Sequence, residues 1–122
     1  RILSFMENGI VRGYLIFSTK IDFGTKMGYI MDIIVDPTNK SLVNDLINFA
    51  KIEMFNEDVT IISGLSFKGN LYYKNYKNCG FKKLPNLFLP HKSYFSLCSL
   101  KYIKNKITPD DWHISWGNHD NI

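Results

Sequence analysis

The 122-residue sequence lacks any apolar run near the roughly 20 residues that a membrane-spanning helix needs. Its start has neither the basic flank nor the continuous apolar stretch of a signal peptide. Cysteine is scarce, with only Cys79 and Cys98, so neither a disulfide framework nor a cysteine-based metal cluster is expected. These absences predict a cytoplasmic protein with one domain, residues 1–122, folded around a single core.

Acidic residues are missing between Asp58 and Asp110. The lysines in that interval stand at positions 68, 74, 77, 82, 83, 92, 101, 104 and 106. A field of one sign favours an anionic partner, such as a phosphorylated cofactor or a nucleic acid. A solvated lysine-rich surface is the alternative interpretation.

The first third of the chain alternates turn signals with strand-like runs. Asn8-Gly9 is a two-residue hairpin signal between Ile2–Met6 and Ile10–Thr19, which are rich in β-branched and aromatic residues. Gly28–Val35 is apolar on both faces apart from Asp32, which is typical of a central strand. We therefore expect an antiparallel pair followed by a central strand.

A helix and a further strand come next. Apolar residues recur at three- and four-residue steps from Ser41 to Glu57, which predicts an amphipathic helix with Ser41 as its N-cap. Its apolar face is expected to hold Leu42, Val43, Leu46, Ile47, Phe49, Ala50 and Met54. Val59–Ser63 is a short apolar strand that completes a βαβ unit.

A second, short helix is expected from about Asn70 to Cys79. It would end at Gly80, because glycine most readily adopts the left-handed conformation at a helix C-terminus, and Phe81 would return to the core. Tyr94–Leu100 and Trp112–Trp116 are predicted as closing strands. The predicted fold class is α/β, with a mixed and mostly antiparallel sheet around a central βαβ unit.

Two segments resemble the GNAT superfamily, which has the acyl-coenzyme A N-acyltransferase fold. GYIMDIIVDP, Gly28–Pro37, is similar to the family's fourth strand with its closing Val-x-Pro. YKNCGF, Tyr76–Phe81, is similar to the Tyr-x-x-x-Gly-Phe at the end of its last helix. The resemblance runs from about Ile10 to the end, without the family's first strand and first two helices, so we expect the chain to be a fragment.

The resemblance implies transfer of an acyl group, usually acetyl, from acetyl-coenzyme A or another acyl-coenzyme A to an amine on a small molecule or peptide. Backbone groups near Ile34 and Val35 would hold the pantetheine arm, and the Tyr76 hydroxyl would protonate the departing thiolate. Where the family carries a carboxylate on this strand it can act as a general base through water, which implies that role for Asp32. Burial would raise the pKa of that carboxylate.

The segment between strand and helix departs from the family. There the family has Arg or Gln followed by two glycines, because glycine lets the backbone approach the cofactor's pyrophosphate and the helix N-terminus supplies N–H donors. From Pro37 to Asp45 this sequence has no glycine. Lys40 beside Ser41 can still meet a phosphate, but weakened or lost cofactor binding is expected.

Three functional hypotheses stay open. The first is an N-acyltransferase, and the second is a related domain without catalysis that serves in binding or assembly. An exposed sheet edge would tend to pair with another strand, which makes a homo-oligomer an additional expectation. The third is a nucleic-acid-binding module that uses the lysines with Tyr72, Tyr73, Tyr76 and Phe81.

Each candidate site residue also has a structural interpretation. Tyr76 could be an ordinary aromatic residue packed on the sheet, and Asp32 a hydrogen-bonded structural aspartate. No metal site is predicted, because His91, His113 and His119 lack the spacing and the cysteine or glutamate partners of a metal-binding motif.

Overall fold

The computed structural model describes residues 1–36, 38–66 and 68–83, which form a four-stranded sheet and two helices. The elements in chain order are β1 (Ile2–Glu7), β2 (Ile10–Asp22), β3 (Thr25–Val35), α1 (Ser41–Asn56), β4 (Ile61–Gly64) and α2 (Tyr73–Asn78). The strand order is β1-β2-β3-β4, antiparallel except for the parallel pair β3 and β4. This confirms a mixed sheet around a central βαβ unit. The two closing strands predicted from the sequence lie outside the described residues.

Both hairpins turn through left-handed residues. Asn8 and Gly9, with φ of 51° and 78°, join β1 to β2 as the sequence predicted. Phe23 and Gly24, with φ of 49° and 73°, join β2 to β3 in a second tight turn. That second hairpin was not predicted, and because of it β3 starts at Thr25 rather than at Gly28.

The core lies between α1 and one face of the sheet. Its most buried side chains are Leu15, Phe17, Ile30, Ile33, Val43, Ile47 and Met54. Gly28 lets α1 approach β3, since a Cβ atom there would overlap the Met54 sulfur. Neither helix of the described ranges is long and apolar enough to cross a membrane.

One residue of the predicted apolar helix face is exposed. Phe49 is 62% exposed, although the other six residues of that face are buried. It lies at the edge of the stripe, beside a groove of about 340 Å³ between α1 and β1 that Leu3 and Phe5 also line. Because β1 is the last described strand on this side of the sheet, no described strand covers Phe49.

The prediction of Ser41 as N-cap is wrong. The N-cap is Lys40, whose side chain makes no capping hydrogen bond, and Ser41 is the first helical residue. The Ser41 hydroxyl instead donates to the Asn39 side-chain oxygen at 2.9 Å. The Asn39 N–H donates to the Asp36 carbonyl at 2.9 Å. This turn precedes the helix, and the N-cap lies at Lys40, one residue before the predicted position.

The end of α2 is a Schellman motif. Gly80 has a φ of 88°, its N–H donates to the Lys77 carbonyl at 3.0 Å, and the Phe81 N–H donates to the Tyr76 carbonyl at 3.0 Å. The rings of Tyr76 and Phe81 then meet edge to face, with centroids 5.1 Å apart and planes at 79°. The return of Phe81 to the core, predicted from the sequence, is confirmed.

Replacing Gly80 with alanine is expected to lower the free energy of unfolding by about 1–2 kcal/mol, the cost of a left-handed residue with a Cβ atom. Nothing lies within 4 Å of a Cβ built at Gly80, so the cost is backbone strain alone. Urea unfolding measures it. Gly80→Asn should recover part of the loss, since asparagine tolerates this conformation, and Asn78→Ala in the same helix end is the control. An unchanged midpoint for Gly80→Ala would contradict the assignment.

Candidate active site between β3 and β4

β3 carries a β-bulge at the point where its pairing with β4 ends. The parallel pairing runs from Met27 opposite Ile61 to Ile30 opposite Gly64, where β4 ends. The next residue, Met31, has no partner in β2, because Phe17 pairs with Ile30 and Ile16 with Asp32. An extra residue bends the strand that carries it. Residues 31–35 of β3 therefore have no described strand on the side away from β2, and we call this edge of β3 the cleft.

Two backbone N–H groups of β3 point into this cleft. The Asp36 N–H donates to the Arg12 carbonyl of β2 at 2.8 Å. Because amide direction alternates along a strand, the Ile34 amide also faces β2, whereas those of Ile33 and Val35 face the cleft. Of the two cofactor-binding positions predicted in β3, Val35 thus has its N–H on the cleft side.

Side chains of the same chain already accept from both groups. The Ile33 N–H donates to Asp32 Oδ1 at 3.0 Å, and the Val35 N–H donates to the Tyr72 hydroxyl oxygen at 3.3 Å. The cleft edge of β3 is therefore hydrogen-bonded locally, by a carboxylate and a phenol.

Tyr76 lies at the end of β4, where Gly64 pairs with Ile30. Its side chain is buried, and its ring packs on Gly64 so closely that a Cβ at Gly64 would lie 3.0 Å from the ring carbon Cζ. Burial and, second, the negative charge of Asp32 raise the pKa of Tyr76. The phenol is therefore protonated throughout the physiological range.

Tyr72 has a similar environment. Burial raises its pKa, the Val35 N–H opposes that shift, and the charge of Asp32 adds to it. The negative charge of Asp32 therefore acts on both phenols, which places the carboxylate within electrostatic range of Tyr72 and Tyr76. The two predicted catalytic residues, Asp32 and Tyr76, are thus electrostatically coupled, and Tyr72 shares this coupling. In an active site, a carboxylate can accept one proton and a protonated phenol can donate another.

The N-terminus of α1 lies against α2. The Asn75 side-chain amide donates to the Asn44 side-chain oxygen at 2.9 Å and to the Lys40 carbonyl at 3.4 Å. Lys40 and Ser41 are both exposed there, and in the described part of the loop and helix no side chain caps the first-turn amides. The Leu42 N–H already donates to the Asn39 carbonyl at 3.2 Å, so the suitable donors for an anion are the other first-turn amides and the Lys40 ammonium.

A carboxylate lies in the loop that leads to α1. Asp36 Oδ1 accepts the Thr38 N–H at 2.9 Å and the Thr38 hydroxyl at 2.7 Å. These bonds, with a smaller contribution from Arg12, lower the pKa of Asp36. The loop therefore carries a negative charge between Val35 and Lys40, which opposes an approaching phosphate.

A pocket of about 360 Å³ lies on the β2 side of Val35. It is lined by Val11, Arg12, Gly13, Tyr14, Ile34, Val35 and Asp36. Arg12 and Asp36 form an ion pair there, with Nη1 and Oδ2 3.4 Å apart. Tyr72 accepts the Val35 N–H on the edge of β3 that faces away from β2, so we place the candidate chemistry in the cleft and not in this pocket.

The loop from β4 to α2 holds polar residues that the sequence analysis did not single out. Asn70 Oδ1 accepts the Tyr72 N–H at 3.0 Å and so fixes the start of the turn that carries Tyr72. Asn70 Nδ2 and Ser66 Oγ are buried and have no hydrogen-bond partner among the described residues. The signal that could have indicated this turn is the asparagine at position 70, two residues before the N-cap Tyr72 of α2.

Within residues 1–36, 38–66 and 68–83, no three histidine, cysteine, aspartate or glutamate side chains gather as metal ligands. His91, His113 and His119 lie outside these ranges, as do the lysines from position 92 onward. Cys79 is buried, and burial raises the pKa of its thiol, which disfavours the reactive thiolate.

No protein-family model matches the chain, and no curated protein sequence does. Solved structures do match. An integron cassette protein from the mobile metagenome of Cole Harbour Salt Marsh aligns at 20% identity with a TM-score of 0.59, over 79% of this chain and 61% of its own. An aminoglycoside acetyltransferase from an uncultured soil metagenomic sample, in complex with sisomicin, aligns at 13% identity with a TM-score of 0.61, over 80% and 65%.

An acetyltransferase of Trypanosoma brucei is also similar, at 19% identity with a TM-score of 0.55, over 80% of this chain and 68% of its own. The chain therefore spans about two thirds or less of the length of these three proteins. At such identities the likeness is one of fold, and the fold is that of acetyltransferases.

Proposed function

We propose that this chain is an N-acyltransferase domain that transfers an acetyl group from acetyl-coenzyme A to an amine. The observation that carries the proposal is the end of the β3–β4 pairing at the Met31 bulge, beyond which the Val35 amide faces away from β2 and donates to a side chain only. An extended pantetheine arm, which has its own amide groups, can pair with such an edge as an added strand does.

The cofactor's pyrophosphate would lie at the start of α1. Lys40 supplies a point charge there, and the first-turn amides beginning at Ser41 supply N–H donors and the positive end of the helix dipole. The Asp36 carboxylate beside them lowers the affinity for an anion. We therefore expect binding that is weaker than a glycine-rich loop would give.

Asp32 and Tyr76 would provide the proton transfers. When bound, the thioester supplies the acyl group: the amine nitrogen forms a bond to the acyl carbon, and the carbon–sulfur bond breaks. Asp32 accepts the amine proton through a water, and the Tyr76 phenol donates its proton to the sulfur. Exchange with solvent restores both residues.

A small molecule that carries several amines is the acceptor class we favour. One protein of similar fold is an aminoglycoside acetyltransferase in complex with sisomicin, which is the support for this choice. An amine on a peptide is the alternative acceptor.

A binding or assembly module without catalysis is the second candidate. It is favoured by the local hydrogen bonds on the cleft edge, at Ile33 and Val35, and by the Asp36 carboxylate in the loop. Such a domain would fold normally and bind no coenzyme A.

Calorimetric titration of the whole chain with acetyl-coenzyme A separates the two candidates. Binding is expected, and Lys40→Ala should weaken it by about three- to tenfold, the loss of one charged phosphate contact. Lys20→Ala is the matched control, since Lys20 pairs with Asp22 next to the β2–β3 hairpin, at the other end of β3 from the α1 start. Absence of heat up to millimolar cofactor would contradict the enzyme and leave the module.

A further inference from the structure

Tyr72 accepts a hydrogen bond from the Val35 amide, the backbone donor that the proposed cofactor would need. Its hydroxyl oxygen accepts the Val35 N–H at 3.3 Å, and the side chain is buried. The Val35 amide is the one that an added strand would use at this point of the β3 edge. A pantetheine carbonyl and the Tyr72 hydroxyl cannot both accept that one proton at full strength.

The bond is suited to exchange. Its length of 3.3 Å exceeds the 2.9–3.0 Å usual for an N–H to oxygen bond, so it is weaker than a typical strand bond. Replacing the phenol by an amide carbonyl keeps the Val35 N–H satisfied, and the freed hydroxyl can bond to the ligand or to water. The amide would otherwise be a buried donor without a partner, which is costly.

The backbone of Tyr72 is hydrogen-bonded at both its N–H and its carbonyl. Its N–H donates to Asn70 Oδ1 at 3.0 Å, and its carbonyl accepts the Tyr76 N–H at 3.0 Å. A change at the hydroxyl is therefore expected to be a side-chain movement that leaves α2 in position.

We propose that Tyr72 is an internal competitor of acetyl-coenzyme A: its hydroxyl occupies the Val35 amide in the free protein and must leave before the pantetheine arm can pair with β3. The inference rests on the proposed function, since it concerns the same cleft. It differs from a catalytic role, because Tyr72 then opposes binding and contributes no proton to the reaction.

Tyr72→Phe tests the competition, because it removes the hydroxyl and keeps the ring. Amide hydrogen exchange at Val35, measured by NMR in the free protein, should become faster. The Kd for acetyl-coenzyme A, measured by calorimetry, should fall by about three- to tenfold, the worth of one weak hydrogen bond. Tyr73→Phe, at the neighbouring half-buried tyrosine, is the matched control and should change neither quantity. Tyr72→Met serves as a second hydroxyl-free variant if Tyr72→Phe folds poorly.

The outcomes separate the two proposals. An unchanged or raised Kd in Tyr72→Phe, with cofactor binding intact in the parent chain, overturns the competition and leaves the proposed function standing. A large loss of turnover at unchanged Kd also overturns it, because Tyr72 would then be catalytic. If neither chain binds acetyl-coenzyme A, both proposals fail, and faster exchange at Val35 would show only that the contact exists.

Discussion

Tyr76→Phe should reduce turnover by about 10²- to 10⁴-fold, the usual contribution of a positioned general acid. The variant removes only the hydroxyl, so the ring remains on Gly64 and against Phe81. Affinity for acetyl-coenzyme A should stay within about twofold, because the hydroxyl acts on the sulfur that departs and not on the bound ground state. Steady-state assays with an amine acceptor, together with calorimetry, measure the two effects separately.

The pH dependence provides a second readout of Tyr76. Burial raises its pKa above the ordinary value of 10.0, so the phenol keeps its proton up to and beyond that pH. Turnover limited by this acid should therefore not decline on the alkaline side below about pH 10. Tyr73→Phe is the control. Equal turnover for Tyr76→Phe and the parent chain would assign Tyr76 to packing alone.

Gly64→Ala is expected to lower the free energy of unfolding by about 1–3 kcal/mol, the usual cost of overpacking a core. The new methyl group would overlap the Tyr76 ring, which is rigid and buried and cannot turn aside as a flexible side chain would. The ring must shift, so turnover should fall as well. Chemical denaturation measures the first effect and the acyl-transfer assay the second.

A double variant identifies the cause of the Gly64 effect. Combining Gly64→Ala with Tyr76→Leu removes the ring that the methyl group meets, so Gly64→Ala should cost less stability in the Tyr76→Leu background than alone. Ser63→Ala, one residue earlier in β4, is the control for changes in that strand. Strictly additive losses would show that the Gly64–Tyr76 contact is not the source of the destabilisation.

Local signals predicted most of the architecture. Asn8-Gly9 fixed the first hairpin, the change from strand to helix periodicity identified the βαβ unit, and Gly80 marked the end of α2. The second hairpin was missed because Phe23 occupies a left-handed position that large side chains rarely adopt. Ser41 was misassigned as the N-cap because the turn between Asp36 and Asn39 makes Lys40 the N-cap and Ser41 the first helical residue.

The bulge at Met31 left no trace in the sequence pattern. Gly28–Val35 is apolar on both faces, so an extra residue that shifts the alternation changes no hydrophobic residue into a polar one. The sequence therefore offers Asp32 and Tyr76 as candidate residues, but it does not predict the bend of the strand beside them. The hydrogen bond between Val35 and Tyr72 joins residues 37 positions apart in the sequence, and a local sequence pattern cannot predict a contact between such separated residues.

The bend of β3 depends on the number of residues in this strand more than on their identity. Removing Met31 would let Asp32 follow Ile30 directly in the pairing with β2 and would straighten the strand, whereas exchanging Met31 for another residue would keep the count and the bend. Evolution of this domain should therefore tolerate exchange of Met31 more readily than its deletion. Such a deletion would remove the bend of β3 in one genetic step.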